Sequence, residues 1–413
     1  MRALVFGVEP ERVEAPVGAN RLQRALAATP MALQELPDPG FLLPDWVVCR
    51  PLLTGICGSD SKQVFFDFSE DDPESTINPM IDFVSFPQVL GHEVVAEVAA
   101  LGPEAEGLDI GQRMVLNPWL SCGPRGVSPV CPACEAGDLS LCWNFLAPPI
   151  APGIHSGTSA DATGGFATLM PAHDSMLFPV PDAVSDEAAV LADPFSVSLH
   201  SVVRHPPPPS GRVLVYGAGA LGSAAVAALR VLHPDVEIGV VARFKAQASL
   251  ARALGAHQVF AHAPVEALIE EAAAWSGGVL RGAHGLPMAF PGGIDVVYDT
   301  VSHRDTLEVS CRLLTARGTI VKSGVHGPTP WEWTPLYFKE ISWVGSNAFG
   351  IETVEGRRQH AIAHYLDLVL DGRVDLTPML THLRPLEDWR GAFDVLADQA
   401  ASGAIKVAFD QRT

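Results

Sequence analysis

Two short motifs place a thiol and an imidazole in the same part of the chain. Cys57 is the third residue of Gly55-Ile-Cys-Gly-Ser-Asp60, and His92 is the middle residue of Gly91-His-Glu93. A thiolate, an imidazole and nearby carboxylates suit zinc, and a catalytic zinc has three protein ligands and one open position. Isolated Cys and His residues are more often ordinary core residues, so the pair alone leaves both interpretations open.

A second constellation consists of cysteines alone. The chain has seven cysteines, and this odd number, without the pattern of a secretion signal, favours reduced thiols and metal binding over disulfides. Cys131-Pro-Ala-Cys134 and Cys142 give three ligands, and Cys122 lies close enough upstream to complete a tetrahedral site. Such a closed site has no open position, so we predict a structural zinc. The alternative is four unrelated thiols in a segment rich in Gly and Pro.

A glycine-rich turn follows a short apolar strand. The turn Gly217-Ala-Gly219-Ala-Leu-Gly222 comes directly after the strand 213–216 and opens a helix that ends at about Leu232. Gly217 permits the tight turn, Gly219 lets the backbone approach a pyrophosphate, and Gly222 allows close helix packing. A second strand (236–242) and a helical stretch (247–254) follow, so the context predicts dinucleotide binding.

The end of the second strand indicates which dinucleotide is bound. An acid at this place would bond the ribose 2′-hydroxyl of NAD, but the sequence has Ala242 there, followed by Arg243 and Lys245. Two cations suit a 2′-phosphate. We therefore predict NADP, with NAD as the second candidate. The alternative is that Arg243 and Lys245 merely form the solvated start of the following helix.

Length and charge limit the classes of protein that fit. The chain has 413 residues, of which 48% are hydrophobic, so two domains with sizeable cores are expected. The formal net charge of −20 argues against nucleic acid or an anionic membrane as a partner and favours small molecules. Residues 1–7 read as a strand rather than a secretory signal, so we expect a cytoplasmic protein. The uncharged run 213–229 is better explained as a buried strand and helix than as a membrane span.

Together these motifs resemble those of the zinc-dependent medium-chain dehydrogenase/reductase family, close to the alcohol, sorbitol and threonine dehydrogenases. The resemblance covers nearly the whole chain. Besides the motifs above, the matching stretches are Ala192-Asp-Pro-Phe-Ser196, Gly293-Ile-Asp-Val-Val-Tyr-Asp299, Gly318-Thr-Ile-Val321 and Ser402-Gly-Ala-Ile-Lys-Val407.

The resemblance implies an α/β protein with two domains. A GroES-like, mainly β catalytic domain is expected from residues 1–194 and 346–413, with the structural-zinc lobe at about 117–145. A Rossmann domain with a doubly wound parallel sheet is expected from residues 195–345. A homodimer or homotetramer is the expected assembly.

The resemblance also implies roles around the first zinc. The third ligand is expected at Asp193, where relatives commonly have Cys or Glu, and Glu93 is the reserve ligand. A structural Asp193 that caps the following segment is the alternative. Asp60 matches a position that orients His92 through its second nitrogen, although a plain surface acid would also fit.

The proton path is less regular than the metal site. Ser59 matches a hydroxyl that contacts the substrate alcohol in relatives and begins a proton relay. Lys62 stands where relatives often have His, and an ordinary Lys would need a depressed pKa to exchange protons near neutrality. The alternatives for Lys62 are phosphate binding and simple solvation.

The predicted function is hydride transfer between NADP(H) or NAD(H) and an alcohol/carbonyl pair, with two zinc ions per chain and an alcohol, aldehyde or ketone as substrate. A zinc hydrolase or lyase with a vestigial cofactor site and a non-catalytic dinucleotide-binding protein are the alternatives. The expected cofactor-binding residues are Gly217, Gly219, Leu221, Gly222, Ala242, Arg243, Lys245 and Lys406.

Two stretches depart from the family pattern. The segment from Cys57 to His92 is longer than relatives usually show, and residues 63–90 look like an insertion beside the active site. It contains the acidic run 69–74 and an apolar run 83–89. The alternatives for its role are a lid, a substrate wall and an oligomer contact. Eight residues separate Cys122 from Cys131, where the family usually has two, so Cys122 is the least secure lobe ligand.

Overall fold

The computed structural model describes residues 1–11, 13–67, 79–282, 284–326 and 330–412. The described chain divides into two units. The first consists of residues within Met1–Phe68, Ile77–Asp193 and Phe349–Thr413, and the second of residues within Pro194–Ala348. The acidic run 69–74 of the expected insertion lies outside the described residues.

The strands and helices are numbered in chain order. The strands are β1 (Arg2–Phe6), β2 (Met31–Glu35), β3 (Trp46–Gly55), β4 (Gln88–Val89), β5 (Glu93–Leu101), β6 (Arg113–Leu116), β7 (Met170–His173), β8 (Leu177–Pro179), β9 (Arg212–Tyr216), β10 (Glu237–Ala242), β11 (Gln258–Ala261), β12 (Leu280–Arg281), β13 (Met288–Ala289), β14 (Ile294–Asp299), β15 (Leu314–Lys322), β16 (Ser342–Gly345), β17 (Ile351–Val354), β18 (Arg357–His360), β19 (Leu380–Arg384) and β20 (Lys406–Asp410).

The α-helices are α1 (Arg21–Ala28), α2 (Gly58–Phe65), α3 (Pro132–Ala136), α4 (Asp186–Ala189), α5 (Ala192–Arg204), α6 (Ala220–Leu232), α7 (Lys245–Ala253), α8 (Val265–Ser276), α9 (Arg304–Leu313), α10 (Thr334–Phe338), α11 (Ala361–Leu370), α12 (Trp389–Ala397) and α13 (Gln399–Ser402). Short 3-10 helices occupy Pro79–Phe83, Leu139–Leu141, Asp174–Met176, Thr377–Met379 and Leu386–Asp388.

The first unit is mainly β. Its largest sheet has the strand order β19-β20-β3-β5-β6-β8, and β7 pairs with β3 outside that path. The long antiparallel pair β3/β5 forms the centre of this sheet, and β20 joins β3 so that a late segment of the chain extends a sheet built from early strands. A smaller sheet has the order β2-β1-β4. Both regions lie over apolar clusters, which explains why these strands are rich in Val, Leu and Ala.

The second unit contains a parallel six-stranded sheet with the order β11-β10-β9-β14-β15-β16. Strand β9 has four consecutive buried residues after Arg212, as expected for a strand covered on both faces. The order reverses between β9 and β14, and in open α/β sheets such a reversal marks the ligand-binding crevice at the carboxyl ends of the strands. The predicted doubly wound α/β fold is confirmed.

The uncharged run 213–229 forms a strand, a turn and a helix rather than one continuous apolar helix. No helix in the described parts of the chain is both long enough and apolar enough to cross a membrane.

Candidate functional site

Cys57 lies at the junction between a strand and a helix. Strand β3 ends at Gly55, and Cys57 precedes the first residue of α2 in an extended conformation. The Asp60 carboxylate accepts a hydrogen bond from the Cys57 backbone N–H at 2.9 Å, which fixes the start of the helix. The helix start therefore sets the direction of the thiol.

His92 is placed by a glycine that no other residue would replace without strain. Gly91 has a φ of +92°, and a Cβ at this position would collide with the side chains of Phe166 and Thr54. The backbone therefore turns sharply before β5 begins at Glu93. The Gly-His-Glu motif is thus a turn that delivers both polar side chains to the start of one strand.

The structure brings Cys57, His92 and Glu93 together. One ligand atom from each residue lies within 4.8 Å of those of the other two, and His92 and Glu93 are buried. Asp60 Oδ1 is 3.6 Å from His92 Nδ1, which is close but beyond hydrogen-bonding distance. Burial lowers the pKa of His92, but the charges of Asp60 and Cys57 outweigh it and hold that pKa well above its usual value. The surroundings of His92 therefore favour positive charge at this place.

Glu93 has a cationic partner. Lys406 is 2% exposed, its ammonium forms an ion pair with the Glu93 carboxylate, and it donates a hydrogen bond to the Ile56 carbonyl at 3.0 Å. The structure thus places Lys406 beside the candidate metal ligands. Its predicted contact with the cofactor stays a prediction.

Asp193 lies near this group without belonging to it. It is the second residue of α5, it is buried, and burial raises the pKa of its carboxyl to about 7, while the nearby His92 lowers it and Glu93 raises it further. In the described part of the chain no ion pair joins Asp193 to a cation. The reserve ligand Glu93, rather than Asp193, is the carboxylate that the structure groups with Cys57 and His92. Ligation by Asp193 stays a prediction.

The donors present fit a zinc ion. A thiol, an imidazole and a carboxylate are zinc ligands, and two residues of the set are buried. His92 Nδ1 is buried without a hydrogen-bond partner in the structure, which is costly for a polar atom unless something pairs with it or fixes its tautomer. Three donors leave a coordination position for another molecule.

The two residues of the expected proton path both lie on helix α2. Ser59 is exposed in the first turn, and Lys62 is half-buried in the last turn. Burial lowers the pKa of Lys62 below its ordinary value, Asp67 opposes this shift and Arg21 adds to it. A lowered pKa is what a lysine needs in order to exchange protons near neutrality. The Lys62 ammonium donates a hydrogen bond of 3.4 Å to the Asp67 carbonyl.

The four predicted lobe cysteines converge. Their sulfurs lie within 4.8 Å of one another, with 3.6 Å between Cys122 and Cys142 and 3.9 Å between Cys131 and Cys142. A tetrahedral zinc with Zn–S bonds of about 2.3 Å requires sulfur separations of roughly 3.8 Å. Burial raises the pKa of Cys134 to about 11, so a nearby cation is needed to keep all four thiols ionised. The set fits a closed zinc site, including Cys122.

Arg125 holds together the longer loop between the first two lobe cysteines. It is 1% exposed and donates hydrogen bonds to five backbone carbonyls. The acceptors are Leu120, Ala147, Ile150, Ala151 and Gly153. The eight residues after Cys122 are thus anchored rather than loose, which explains how the unusual spacing still delivers Cys122 to the cluster.

The glycine loop has the predicted geometry. Gly217 has a φ of +98°, and a Cβ there would lie 2.6 Å from Thr300 Oγ1. A Cβ at Gly222 would collide with the Gly217 carbonyl, so the helix packs directly on the turn. At Gly219 a Cβ would meet open space, and Gly219 precedes α6 without a side-chain cap. Open space at a helix N-terminus fits a pyrophosphate. Leu221 lies in the first turn of α6.

The residues predicted to select the cofactor follow strand β10. Ala242 ends the strand, Arg243 and Lys245 are exposed, and Lys245 begins α7. The Arg243 guanidinium lies 5.3 Å from the centre of the Phe244 ring. Among the described residues, neither Arg243 nor Lys245 has a carboxylate partner, so both can contact an anion.

One residue beside the metal group, His155, carries no recognisable signal in the sequence. The rings of His155 and His92 have centroids 4.5 Å apart, and Trp119 packs edge-on against His155 at 5.7 Å. Nothing in the sequence around His155 resembles a motif. Burial lowers the pKa of His155 to about 3, so its imidazole is neutral.

Comparison with known proteins identifies the family. Residues 43–182 match the alcohol dehydrogenase GroES-like domain, and residues 220–364 match the zinc-binding dehydrogenase domain. L-threonine 3-dehydrogenase of Pectobacterium carotovorum is 26% identical over 80% of this chain and 84% of its own length. Sorbitol dehydrogenase of Arabidopsis thaliana is 26% identical over 95% of this chain and 97% of its own length.

A solved structure shares the fold. That of 2R,3R-butanediol dehydrogenase from Bacillus subtilis superimposes with a TM-score of 0.70 at 19% identity, covering 99% of both chains. The chain belongs to the zinc-dependent medium-chain dehydrogenase/reductase family. It is accordingly an oxidoreductase of the alcohol dehydrogenase type.

Proposed function

We propose that the protein uses zinc to transfer a hydride between NADP(H), or NAD(H), and an alcohol/carbonyl pair. The observation that carries this proposal is the open three-donor group of Cys57, His92 and Glu93 in a chain that also has a glycine loop shaped for a pyrophosphate. When bound, zinc polarises the substrate oxygen as a Lewis acid and the nicotinamide exchanges the hydride.

The residues of the chain hold and orient these groups. Cys57 and His92 supply two zinc ligands, and a buried carboxylate supplies the third. Asp60 stabilises the orientation of His92 from 3.6 Å. Ser59 contacts the substrate hydroxyl, and Lys62, whose pKa is lowered by burial, passes the proton onward.

Asp193 is the better third ligand on grounds of charge. Glu93 is already ion-paired with Lys406, whereas Asp193 is buried without such a partner and needs a cation to remain ionised. Asp193→Asn should therefore lower the zinc content by one ion per chain, and Glu93→Gln should not. The measurement is metal analysis of the purified variants; the reverse result assigns the ligand to Glu93.

We propose the same domain roles as predicted from the sequence, with residues 1–194 and 346–413 catalytic and 195–345 binding the dinucleotide. The second zinc belongs to Cys122, Cys131, Cys134 and Cys142, giving two zinc ions per chain. The cytoplasmic location and the homodimer or homotetramer also stay proposals, which cell fractionation and sedimentation would test.

NADP is the proposed cofactor because two cations and no acid follow Ala242. Arg243→Asp removes one cation and adds the missing carboxylate, so the ratio of kcat/KM for NADP to that for NAD should fall by at least about 10-fold. Arg252→Asp, in the last turn of the helix α7 that follows Arg243, is the control. An unchanged ratio would remove the 2′-phosphate assignment.

Stoichiometric oxidation of NADPH or NADH with a carbonyl substrate is the direct test of the activity. A hydrolase or lyase would convert substrate without oxidising the cofactor, and a non-catalytic binder would do neither. A panel of alcohols, aldehydes and ketones with both cofactors would decide among the three.

A further inference from the structure

Strands β17 and β18 form a hairpin that lies against the cysteine lobe. The hairpin follows Phe349 and Gly350, the first residues of the segment that completes the first unit, and it leads directly into α11. The N–H of Ile351 donates a hydrogen bond of 2.9 Å to the carbonyl of Gly137, which directly follows the helix α3 that contains Cys134. The hairpin is therefore attached to an element that carries a ligand of the closed cysteine group.

Two glycines set the distance between the hairpin and the lobe. A Cβ at Gly350 would lie 2.1 Å from the Gly137 carbonyl oxygen, and a Cβ at Gly137 would lie 2.8 Å from the Cβ of Ile351. The φ of Gly350 is outside the left-handed region, so the close approach, rather than the backbone conformation, excludes a side chain at this position. Any larger residue at Gly350 must therefore move the hairpin away from α3.

Arg358 attaches the second strand of the hairpin to the same helix. Its guanidinium donates a hydrogen bond of 2.8 Å to the carbonyl of Ala136, the last residue of α3. The last carbonyls of a helix have no partner within the helix, and arginine side chains satisfy them well. The neighbouring Arg357 forms an ion pair of 3.1 Å with Asp367 instead, because successive side chains of a strand point to opposite faces. Only one of the two arginines therefore holds the lobe.

The residue that precedes the hairpin contacts a row of rings that leads to the open metal group. Phe349 is fully buried, and the centroid of its ring lies 6.0 Å from that of Trp119 and 5.7 Å from that of His360. Trp119 contacts His155, which in turn contacts His92. Rings at such separations prefer particular relative orientations. A displacement of Phe349 therefore changes the packing around a candidate zinc ligand.

We propose that Gly350 and Arg358 are positioning residues for the reaction at the open three-donor group. They seat the hairpin on the cysteine lobe, and the seated hairpin holds Phe349 against Trp119. The row of rings then restrains the imidazole of His92. The cysteine lobe thus serves as a platform for the other metal group. The effect on turnover rests on the proposed function, whereas the effect on the position of Trp119 does not.

Gly350→Ala tests the close contact, because its methyl group does not fit beside the Gly137 carbonyl. The variant should keep both zinc ions and the KM for the dinucleotide, while kcat falls about 10-fold, since a misplacement of about 1 Å can cost about 100-fold in rate. Gly40→Ala is the matched control, because a Cβ there meets open space. Metal analysis and steady-state kinetics below the unfolding temperature are the measurements. A Gly350→Ala enzyme that unfolds at a lower temperature but keeps its full kcat would overturn the proposal.

Arg358→Ala removes the other attachment with a smaller disturbance, and it tests the proposal even if Gly350→Ala does not fold. Loss of one hydrogen bond should lower kcat about 5-fold. Arg358→Lys should restore most of the rate, because an ammonium also donates to the Ala136 carbonyl. Arg357→Ala, on the opposite face of the strand, is the control and should leave kcat unchanged. Equal losses in Arg357→Ala and Arg358→Ala would contradict a specific role of the lobe contact.

Nuclear magnetic resonance of the chain with ¹⁵N-labelled tryptophan follows the row of rings without turnover. The indole N–H signal of Trp119, identified by its absence from Trp119→Phe, should shift in Gly350→Ala and in Arg358→Ala. It should stay in place in the two control variants. A signal that stays in place in both hairpin variants would overturn this inference alone. If the unmodified protein converts no alcohol or carbonyl, the proposed function fails, and the indole signal still decides whether the hairpin positions Trp119.

Discussion

The two candidate metal groups of the first unit differ in composition and in closure. The lobe offers four thiols and no other donor, whereas the other group mixes a thiol, an imidazole and a carboxylate. Four thiolates complete a tetrahedron, but three mixed donors leave room for a substrate oxygen. The comparison teaches that donor number and type, more than burial, separate a site that holds a fold together from one that performs chemistry.

Removing a thiol from the open group should have the largest effect. Cys57→Ser is expected to remove one zinc per chain and to lower kcat/KM by about 10⁴-fold, because the metal's stabilisation of the transition state is lost. The melting temperature should change little. Metal analysis, steady-state kinetics and thermal unfolding are the measurements.

Cys49→Ser is the matched control, since Cys49 is buried and belongs to neither metal group. It should retain both zinc ions. Full activity of the Cys57→Ser enzyme would contradict the assignment of the open group as the catalytic zinc site.

Removing a thiol from the closed group should act on stability instead. Cys134→Ser is expected to release the other zinc and to lower the free energy of unfolding by about 4 kcal/mol, because metal binding contributes directly to folding. Zinc content and chemical denaturation test this, with Glu135→Gln in the same helix as control. Unchanged stability after loss of the zinc would contradict a structural role.

The smallest effect is expected from a residue that supports a ligand without binding the metal. Asp60→Asn should weaken zinc binding at the open group about 10- to 100-fold, because the carboxylate no longer stabilises the orientation and charge of His92. Competition with a chelator measures the affinity. The zinc of the cysteine lobe is the internal control and should keep its affinity.

Local signals in the sequence predicted the elements that carry the site. The expected strand 213–216 and the helix ending at about Leu232 appear as β9 and α6, because the apolar run and the glycines act on neighbouring residues. The spacing of the four lobe cysteines also predicted their convergence, because these residues are close together in the sequence. Even Cys122, whose spacing was unusual, reaches the cluster.

What the sequence did not show depends on contacts between distant segments. The ion pair that already occupies Glu93, and so favours Asp193 as the third ligand, depends on the tertiary positions of β5 and β20. His155 reaches His92 only because its loop pairs with the residues around Trp119. No local pattern encodes such approaches.

The ion pair between Glu93 and Lys406 joins residues that are 313 positions apart in the chain (406 minus 93). At about 5 to 20 residues per second, a ribosome needs roughly 15 to 60 s to make that stretch. During this interval the Glu93 carboxylate has no Lys406 to neutralise it. The ion pair, and with it the pairing of β20 with β3, therefore forms only after residue 406 has left the ribosome.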